Sequence, residues 1–186
     1  GEDVLLTGNE VGVLLTDWLA ERTVAKGEDL GNKVVVSTIV STSMLDALAA
    51  ERGFELRRTL TGFKYIGEQI GRLEAAGEAD RFMFGFEESY GYLAGTHVRD
   101  KDAVVASMLI VQMARHYRKQ GMTLVRAMRA LYDKFGWQTN RTISLAYPGA
   151  DGAQRMADIM AGLRTQPPAQ VAGRDVAEIV DYAEGV

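Results

Sequence analysis

The sequence contains no cysteine and only two histidines, His97 and His116. The first absence excludes a disulfide scaffold, a thiolate nucleophile and any cysteine-ligated zinc. It fits a reducing compartment, and a cytoplasmic protein is expected. The scarcity of histidine excludes a histidine-rich metal centre. Basic residues are not in excess: the formal net charge is −4, with Lys and Arg scattered along the chain. Binding nucleic acid through phosphates needs a basic patch, so that class is set aside. No apolar run reaches the roughly 18 residues of a membrane-crossing helix. No charged-then-apolar leader is present. Neither nucleic acid nor a membrane is expected as a partner. Asn140-Arg141-Thr142 has the form of a glycosylation acceptor and, without a leader, is read as chance.

What is present is ordinary for a globular chain: 186 residues, 47% hydrophobic and 25% charged. That length holds one domain, or one domain and part of another. Thr7 to Glu10 has the form of a capping box. Val11, Leu14, Leu15, Trp18 and Leu19 then follow on one helical stripe. The β-branched run Val34 to Ile39 reads as a strand buried on both faces. Ser41, Thr42 and Ser43 are capping candidates for a helix through Leu45, Leu48 and Ala49, with Gly53 at its end. Phe54 to Thr59 is a second strand and Thr61-Gly62 a turn. Phe63, Ile66, Ile70 and Leu73 line a third helix, stopping at Gly77, and Phe82 to Phe84 is a third strand. This alternation predicts an α/β fold, a mostly parallel sheet covered by helices in α/β/α layers. Ligands of such sheets sit at the carboxyl ends of the strands. The Thr61-Gly62 turn and the stretch Gly85 to Gly91 both follow strands and fall on that edge.

A helix is expected from Asp102 to about Gln120, with Val104, Val105, Met108, Leu109, Val111 and Met113 as a wide apolar face. Thr123 caps another, with Leu124, Met128, Leu131 and Phe135 inward. Thr139 to Tyr147 alternates polar and apolar residues and reads as an edge or linking strand. Pro148-Gly149 marks a boundary between a domain over 1–147 and a partial second unit over 148–186. In that second part a helix is expected over Gly152 to Leu163 and a strand over Val176 to Val180. Both ends of the sequence read as cut from a longer polypeptide.

The chemistry concentrates in Gly85-Phe86-Glu87-Glu88-Ser89-Tyr90-Gly91. Flanking glycines let a loop approach a ligand closely. Alternate residues of an extended loop face the same way, so Glu87 and Ser89 can point together. A carboxylate accepts two O–H groups at once, and neighbouring hydroxyls of a sugar ring offer that pair. Taken alone, such a stretch is more often a solvated acidic turn. Thr61-Gly62-Phe63-Lys64 offers a hydroxyl and backbone N–H groups at a helix start, or equally a plain cap. His97-Val98-Arg99-Asp100-Lys101-Asp102 gathers three potential cations that could meet a phosphate, or a self-paired charge cluster. No Walker loop and no dinucleotide fingerprint occurs. Ser41 and Ser43 lack a histidine base, and Asp100 and Asp102 lack acid neighbours for Mg²⁺ or Ca²⁺.

Together these motifs resemble the α-D-phosphohexomutases, the phosphoglucomutase and phosphomannomutase family, in its third domain with the start of the fourth. Leu6-Thr7-Gly8-Asn9-Glu10-Val11-Gly12, Thr61-Gly62-Phe63-Lys64, Glu87-Glu88-Ser89 and His97 to Asp102 match in order over roughly 100 residues. The resemblance implies that Glu87 and Ser89 bind ring hydroxyls, that Thr61 touches the substrate, and that Lys101 sits near the reacting end of the sugar. Lys64 and His97 are secondary candidates. It also implies the activity: a phosphoserine, a bisphosphate intermediate, and exchange of hexose 1-phosphate and 6-phosphate. The cofactor implied is Mg²⁺ in the full-length enzyme, with no ligands on this chain. The partners implied are a hexose phosphate and the other domains of the same chain. Phosphomannomutase and phosphopentomutase activity are the neighbouring alternatives. A non-catalytic carbohydrate-binding or protein-interaction module is the alternative of another class. Phe86 stands where the family often has glycine. The phosphoserine, magnesium and phosphate loops have no counterpart in this sequence, and the chain alone is expected to be inactive.

Overall fold

The computed structural model describes residues 4–139 and 143–183. The chain forms two compact units, 1–140 and 141–186. In the first, a sheet of four strands runs in the order β2-β1-β3-β4. Its centre is β1 (Val34–Thr38), flanked in parallel by β2 (Glu55–Thr59) and β3 (Phe82–Glu87); the short β4 (Gly91–Leu93) returns antiparallel to β3. Every residue of β1 is buried, as its unbroken apolar run predicts. The helices are α1 (Gly8–Ala25), α2 (Met44–Arg52), α3 (Phe63–Ala75), α4 (Ala103–Lys119) and α5 (Leu124–Phe135). This is the mostly parallel sheet covered by helices that the sequence pattern predicts.

The sheet separates two cores. Val35, Phe84, Phe86 and Tyr92 face the core built with α1, α2, α4 and α5. Val34, Val36, Phe82 and Leu93 face α3 alone, against Phe63, Ile66, Ile70 and Leu73. Plain alternation would put Phe82, Phe84 and Phe86 on one face. A register shift, pairing Val34 with Phe82 but Val35 with Phe84, inserts one extra residue and turns Phe82 to the α3 side. After the bulge strict alternation resumes. Gly85 lies against Ile66 on the α3 side, Phe86 against α1, and Glu87 on the α3 side again.

The first helix starts as expected. The Thr7 hydroxyl accepts the Glu10 N–H at 3.2 Å, and the Glu10 carboxylate accepts the Thr7 N–H at 2.7 Å. Buried residues then occur on more than the predicted stripe, including Val13 and Ala20, because α1 contacts β3, α2, α4 and α5. Two of its glycines are close-approach positions. A Cβ on Gly8 would lie 2.8 Å from the Tyr90 nitrogen, and one on Gly12 would overlap the Phe86 ring, 2.6 Å from Cζ. Asp17 is buried and held by Nε and Nη2 of Arg52 at 2.8 and 2.6 Å.

Several expectations are corrected. The wide apolar face of α4 does not all turn inward: Ala106, Met113 and Tyr117 are buried, while Val104, Met108 and Val111 are exposed. The apolar arc is wider than the arc the core can cover. Ser43 takes the N-cap position of α2 without a side-chain capping bond; the Thr42 hydroxyl accepts the Met44 N–H instead. Residues 143–147 form no strand, since no described strand pairs with them and Ile143 and Leu145 lie exposed. Asn140-Arg141-Thr142 lies outside the described residues. The second unit carries α6 (Ala150–Thr165), longer than expected at both ends. Its strands are β5 (Gln170–Val171) and β6 (Arg174–Asp175), not Val176 to Val180. Ala172 and Gly173, with φ of 51° and 76°, make the tight turn between them.

Candidate functional site

Because β1, β2 and β3 are parallel, their carboxyl ends share one edge, and the loops after Thr38, Thr59 and Glu87 meet there. Glu87 is the last residue of β3 and is 8% exposed. Its Oε1 accepts the Gly62 N–H at 2.7 Å. Gly62, with φ +115°, is the N-cap of α3, so the carboxylate meets the positive end of that helix. Thr61 is the exposed residue beside this bond. Phe63, the first residue of α3, is buried beneath Lys101, whose Nζ lies 5.2 Å from the ring centroid. Thr61, Glu87 and Lys101 therefore converge on the start of α3.

The loop after Glu87 is not extended. Glu88, Ser89 and Tyr90 form a three-residue hairpin turn between the paired residues Glu87 and Gly91. Ser89 is exposed in the turn and has no side-chain hydrogen bond among the described residues. Its placement follows from the hairpin and not from alternation with Glu87. Tyr90 has φ +65°, the conformation a three-residue hairpin loop asks of its last residue. Its phenol donates to the Leu6 carbonyl at 3.2 Å. Glu88 turns toward β1, where the Thr38 hydroxyl donates to it at 3.4 Å. The two adjacent acids thus face different partners.

Two of the three basic side chains of this stretch pair within it, and the third pairs with α3. His97 Nε2 lies 2.9 Å from Asp102 Oδ2, Lys101 Nζ lies 2.9 Å from Asp100, and Arg99 pairs with Glu74 of α3. Asp102 also caps α4, accepting the Val104 and Val105 N–H groups at 2.9 Å each. The Val105 N–H foremost, and then His97, hold its carboxyl below the usual value. Lys101 does the same for Asp100. Lys64 lies over the Tyr65 ring, 4.7 Å from its centroid. Asp100 and Asp102, engaged in this way, do not fit a Mg²⁺ ion. Among the described residues no group of three or more His, Asp or Glu could hold a metal.

Three groups support the site, and two of them, Arg58 and Tyr92, carry no signal in their own sequence context. The Asn9 Oδ1 accepts the Thr42 N–H at 3.1 Å, fixing the loop after β1 to the first turn of α1. Arg58 donates to the Thr38 carbonyl, the Thr42 carbonyl and Asp46, at 3.1, 3.0 and 2.7 Å. The buried Tyr92 phenol donates to the Gly8 carbonyl at 2.9 Å, and burial pushes its titration up. Only Gly8 and Asn9 belong to a motif that points to them. No helix among the described residues is long and apolar enough to cross a membrane.

Comparison with known proteins places this geometry. The family described as "Phosphoglucomutase/phosphomannomutase, alpha/beta/alpha domain III" matches residues 7–135. Phosphoglucomutases of Staphylococcus aureus strains bovine RF122 / ET3-1 and MSSA476 are each 32% identical over 182 residues. Those alignments cover 98% of this chain and 32% of the relative, so the chain spans about a third of the length of the curated relatives it matches. The crystal structure of a phosphomannomutase-type protein from Thermus thermophilus superposes with a TM-score of 0.53 at 23% identity. It covers 70% of this chain and 26% of that one, and it bears on the fold alone.

Proposed function

The chain belongs to the phosphoglucomutase/phosphomannomutase family through its domain III, and we propose that this domain grips the sugar of a hexose phosphate while other parts of a phosphoglucomutase move the phosphoryl group. The observation that carries the reading is the Glu87 carboxylate, buried at the sheet's carboxyl edge and anchored by Oε1 to Gly62. Anchoring through one oxygen fixes the rotamer and presents Oε2 as a positioned acceptor for a ring hydroxyl. Ser89, at the hairpin turn with an unengaged hydroxyl, serves the neighbouring ring hydroxyl. Thr61 contacts the ring from the α3 side. Lys101, exposed over Phe63, favours negative charge developing near the reacting end.

In the parent enzyme a phosphoserine would donate its phosphoryl group, the bisphosphate would turn over, and the second phosphate would return to the serine. A grip on ring hydroxyls that exchange places on turning over serves both orientations with one set of groups. Positioning and electrostatics are the main demands of phosphoryl transfer. Magnesium and the phosphoserine belong to segments outside this chain, and residues 148–186 to the start of the next domain. We place the parent enzyme in the cytoplasm.

The test is kinetic. A hydrogen bond to a charged group contributes about 1.5–3 kcal/mol, so Glu87→Ala in the full-length enzyme should lower kcat/KM roughly 10- to 100-fold. Ser89→Ala removes neutral bonds of about 0.5–1.5 kcal/mol and should cost roughly tenfold or less. Wild-type kinetics for Glu87→Ala would remove the carboxylate from its role. The 186-residue chain alone should show no turnover.

A further inference from the structure

A cavity of about 210 Å³ opens on the side of the sheet away from α3. Its floor is Val13, Met44 and Met128, which belong to the core that holds Phe86. Glu87 contacts the start of α3, on the other side. One wall is aromatic. Tyr132 and Trp137 stack with ring centroids 4.3 Å apart and planes 2° apart. Trp137 is 72% exposed, so this stack holds a large apolar ring surface rigid in water. Aromatic rings kept this way are typical of binding surfaces.

The polar lining has unused capacity of a particular kind. Asn9 uses its carbonyl on the Thr42 N–H, and Gln138 uses its carbonyl on the Ser43 hydroxyl at 2.7 Å. The amide NH₂ groups of both residues have no hydrogen-bond partner among the described residues. Thr42, 5% exposed, accepts the Met44 N–H and keeps its hydroxyl proton for another partner. Glu10 accepts from the Thr7 N–H, the Thr7 hydroxyl and the Tyr132 phenol. Among the described residues, no Lys, Arg or His lines the cavity.

That set discriminates between ligand classes. A phosphate would find a carboxylate and, among the described residues, no cation. An ammonium has no acceptor to offer and would leave both amide NH₂ groups unsatisfied. An apolar ligand would leave two amides and a buried hydroxyl unsatisfied. A neutral ring bearing hydroxyls satisfies every part: C–H groups on the exposed aromatic face, oxygens for the NH₂ donors, a hydroxyl for Glu10. The volume is that of about seven waters at roughly 30 Å³ each, enough for one such ring. We infer that this cavity is a second binding site, for an uncharged pyranose monosaccharide, chemically distinct from the phosphosugar grip at Glu87.

The chain's only tryptophans are the buried Trp18 and the exposed Trp137, so emission changes on titration report chiefly on the cavity wall. Titrating the 186-residue chain with glucose, mannose and galactose should give a saturable change for at least one, with Kd on the order of 1–10 mM. Glucose 1-phosphate should bind about tenfold or more weaker by the same signal. Amide NMR shifts should map to Asn9, Thr42 and Gln138. Gln138→Ala, a change on a half-buried rim residue, should weaken binding roughly fivefold or more, while Glu87→Ala leaves it unchanged. A linear response for all three sugars overturns the proposal. So does equal affinity for the phosphate, or a Gln138→Ala variant that binds as tightly as wild type. None of these outcomes depends on catalysis or on the role of Glu87.

Discussion

Gly12 lies in the second turn of α1, and its substitution by alanine sets two effects of opposite sign against each other. In a helix interior alanine is favoured over glycine by about 0.8–1.0 kcal/mol. If propensity decided, Gly12→Ala would stabilise the protein. The geometry points the other way. The new Cβ would fall 2.6 Å from Cζ of Phe86, where carbon–carbon contacts settle near 3.5–4.0 Å, about 1 Å further out. Phe86 is fully buried, with ring centroids 5.8 Å from Phe84 and 6.3 Å from Tyr92, so the ring has nowhere to swing. Overpacking of this kind costs about 1–3 kcal/mol. Subtracting the propensity gain leaves a net loss of up to about 2 kcal/mol, or up to roughly 6 °C in Tm. The assay is urea denaturation of wild type, Gly12→Ala, Phe86→Leu and the double variant. The smaller leucine makes room, so Gly12→Ala in the Phe86→Leu background should be neutral or stabilising, with a favourable coupling above about 1 kcal/mol. A single Gly12→Ala variant more stable than wild type, or a strictly additive cycle, would refute the packing argument.

Two further outcomes are expected. Arg52→Met should cost about 2–3 kcal/mol in chemical denaturation, because it leaves the buried Asp17 carboxylate without its donors; a loss below about 0.5 kcal/mol would mean Asp17 finds other solvation. Asp102→Ala should fray the start of α4, because it removes the acceptor of the Val104 and Val105 N–H groups. The Asp102 carboxyl is held below its ordinary 3.8 by the Val105 N–H and His97, so its stabilisation is complete above that value and is lost as pH falls through the folded-state value. Stability curves against pH should therefore converge for wild type and Asp102→Ala in strong acid, and a gap that persists there would contradict the assignment.

How much of the fold the sequence discloses depends on how local the determinant is. The capping box at Thr7, the buried run of β1 and the end of α2 at Gly53, with φ +86°, each follow from a few adjacent residues. The strand β4 does not, since three residues carry no period and its hairpin places Tyr90, not glycine, at positive φ. Nor does the burial of α4. Counting apolar residues cannot tell which arc meets the core, and Val104 is 81% exposed while Ala106 is buried. The alternation over 143–147 gives no strand for the same reason: a strand needs a partner edge, and the pattern supplies only the strand.

The site divides along the same line. That the candidate groups cluster at the carboxyl edge follows from the order of strands and turns. Which of two adjacent acids turns toward the start of α3 does not, because it is decided by the facing of β3 after its bulge. Phe86 must enter the core beside α1 for Glu87 to turn toward Gly62. It can do so because Gly12 leaves space for its ring, and the hairpin beyond it can close because Gly8 leaves space for the backbone at Tyr90. These glycines, one turn apart, look in the sequence like poor helix formers in a first helix. In the fold they are the seat on which the end of β3 rests. The orientation of the Glu87 carboxylate, the proposed sugar grip, is therefore set by a helix on the opposite face of the sheet, and a substitution there should move Glu87 without touching any residue of its own loop.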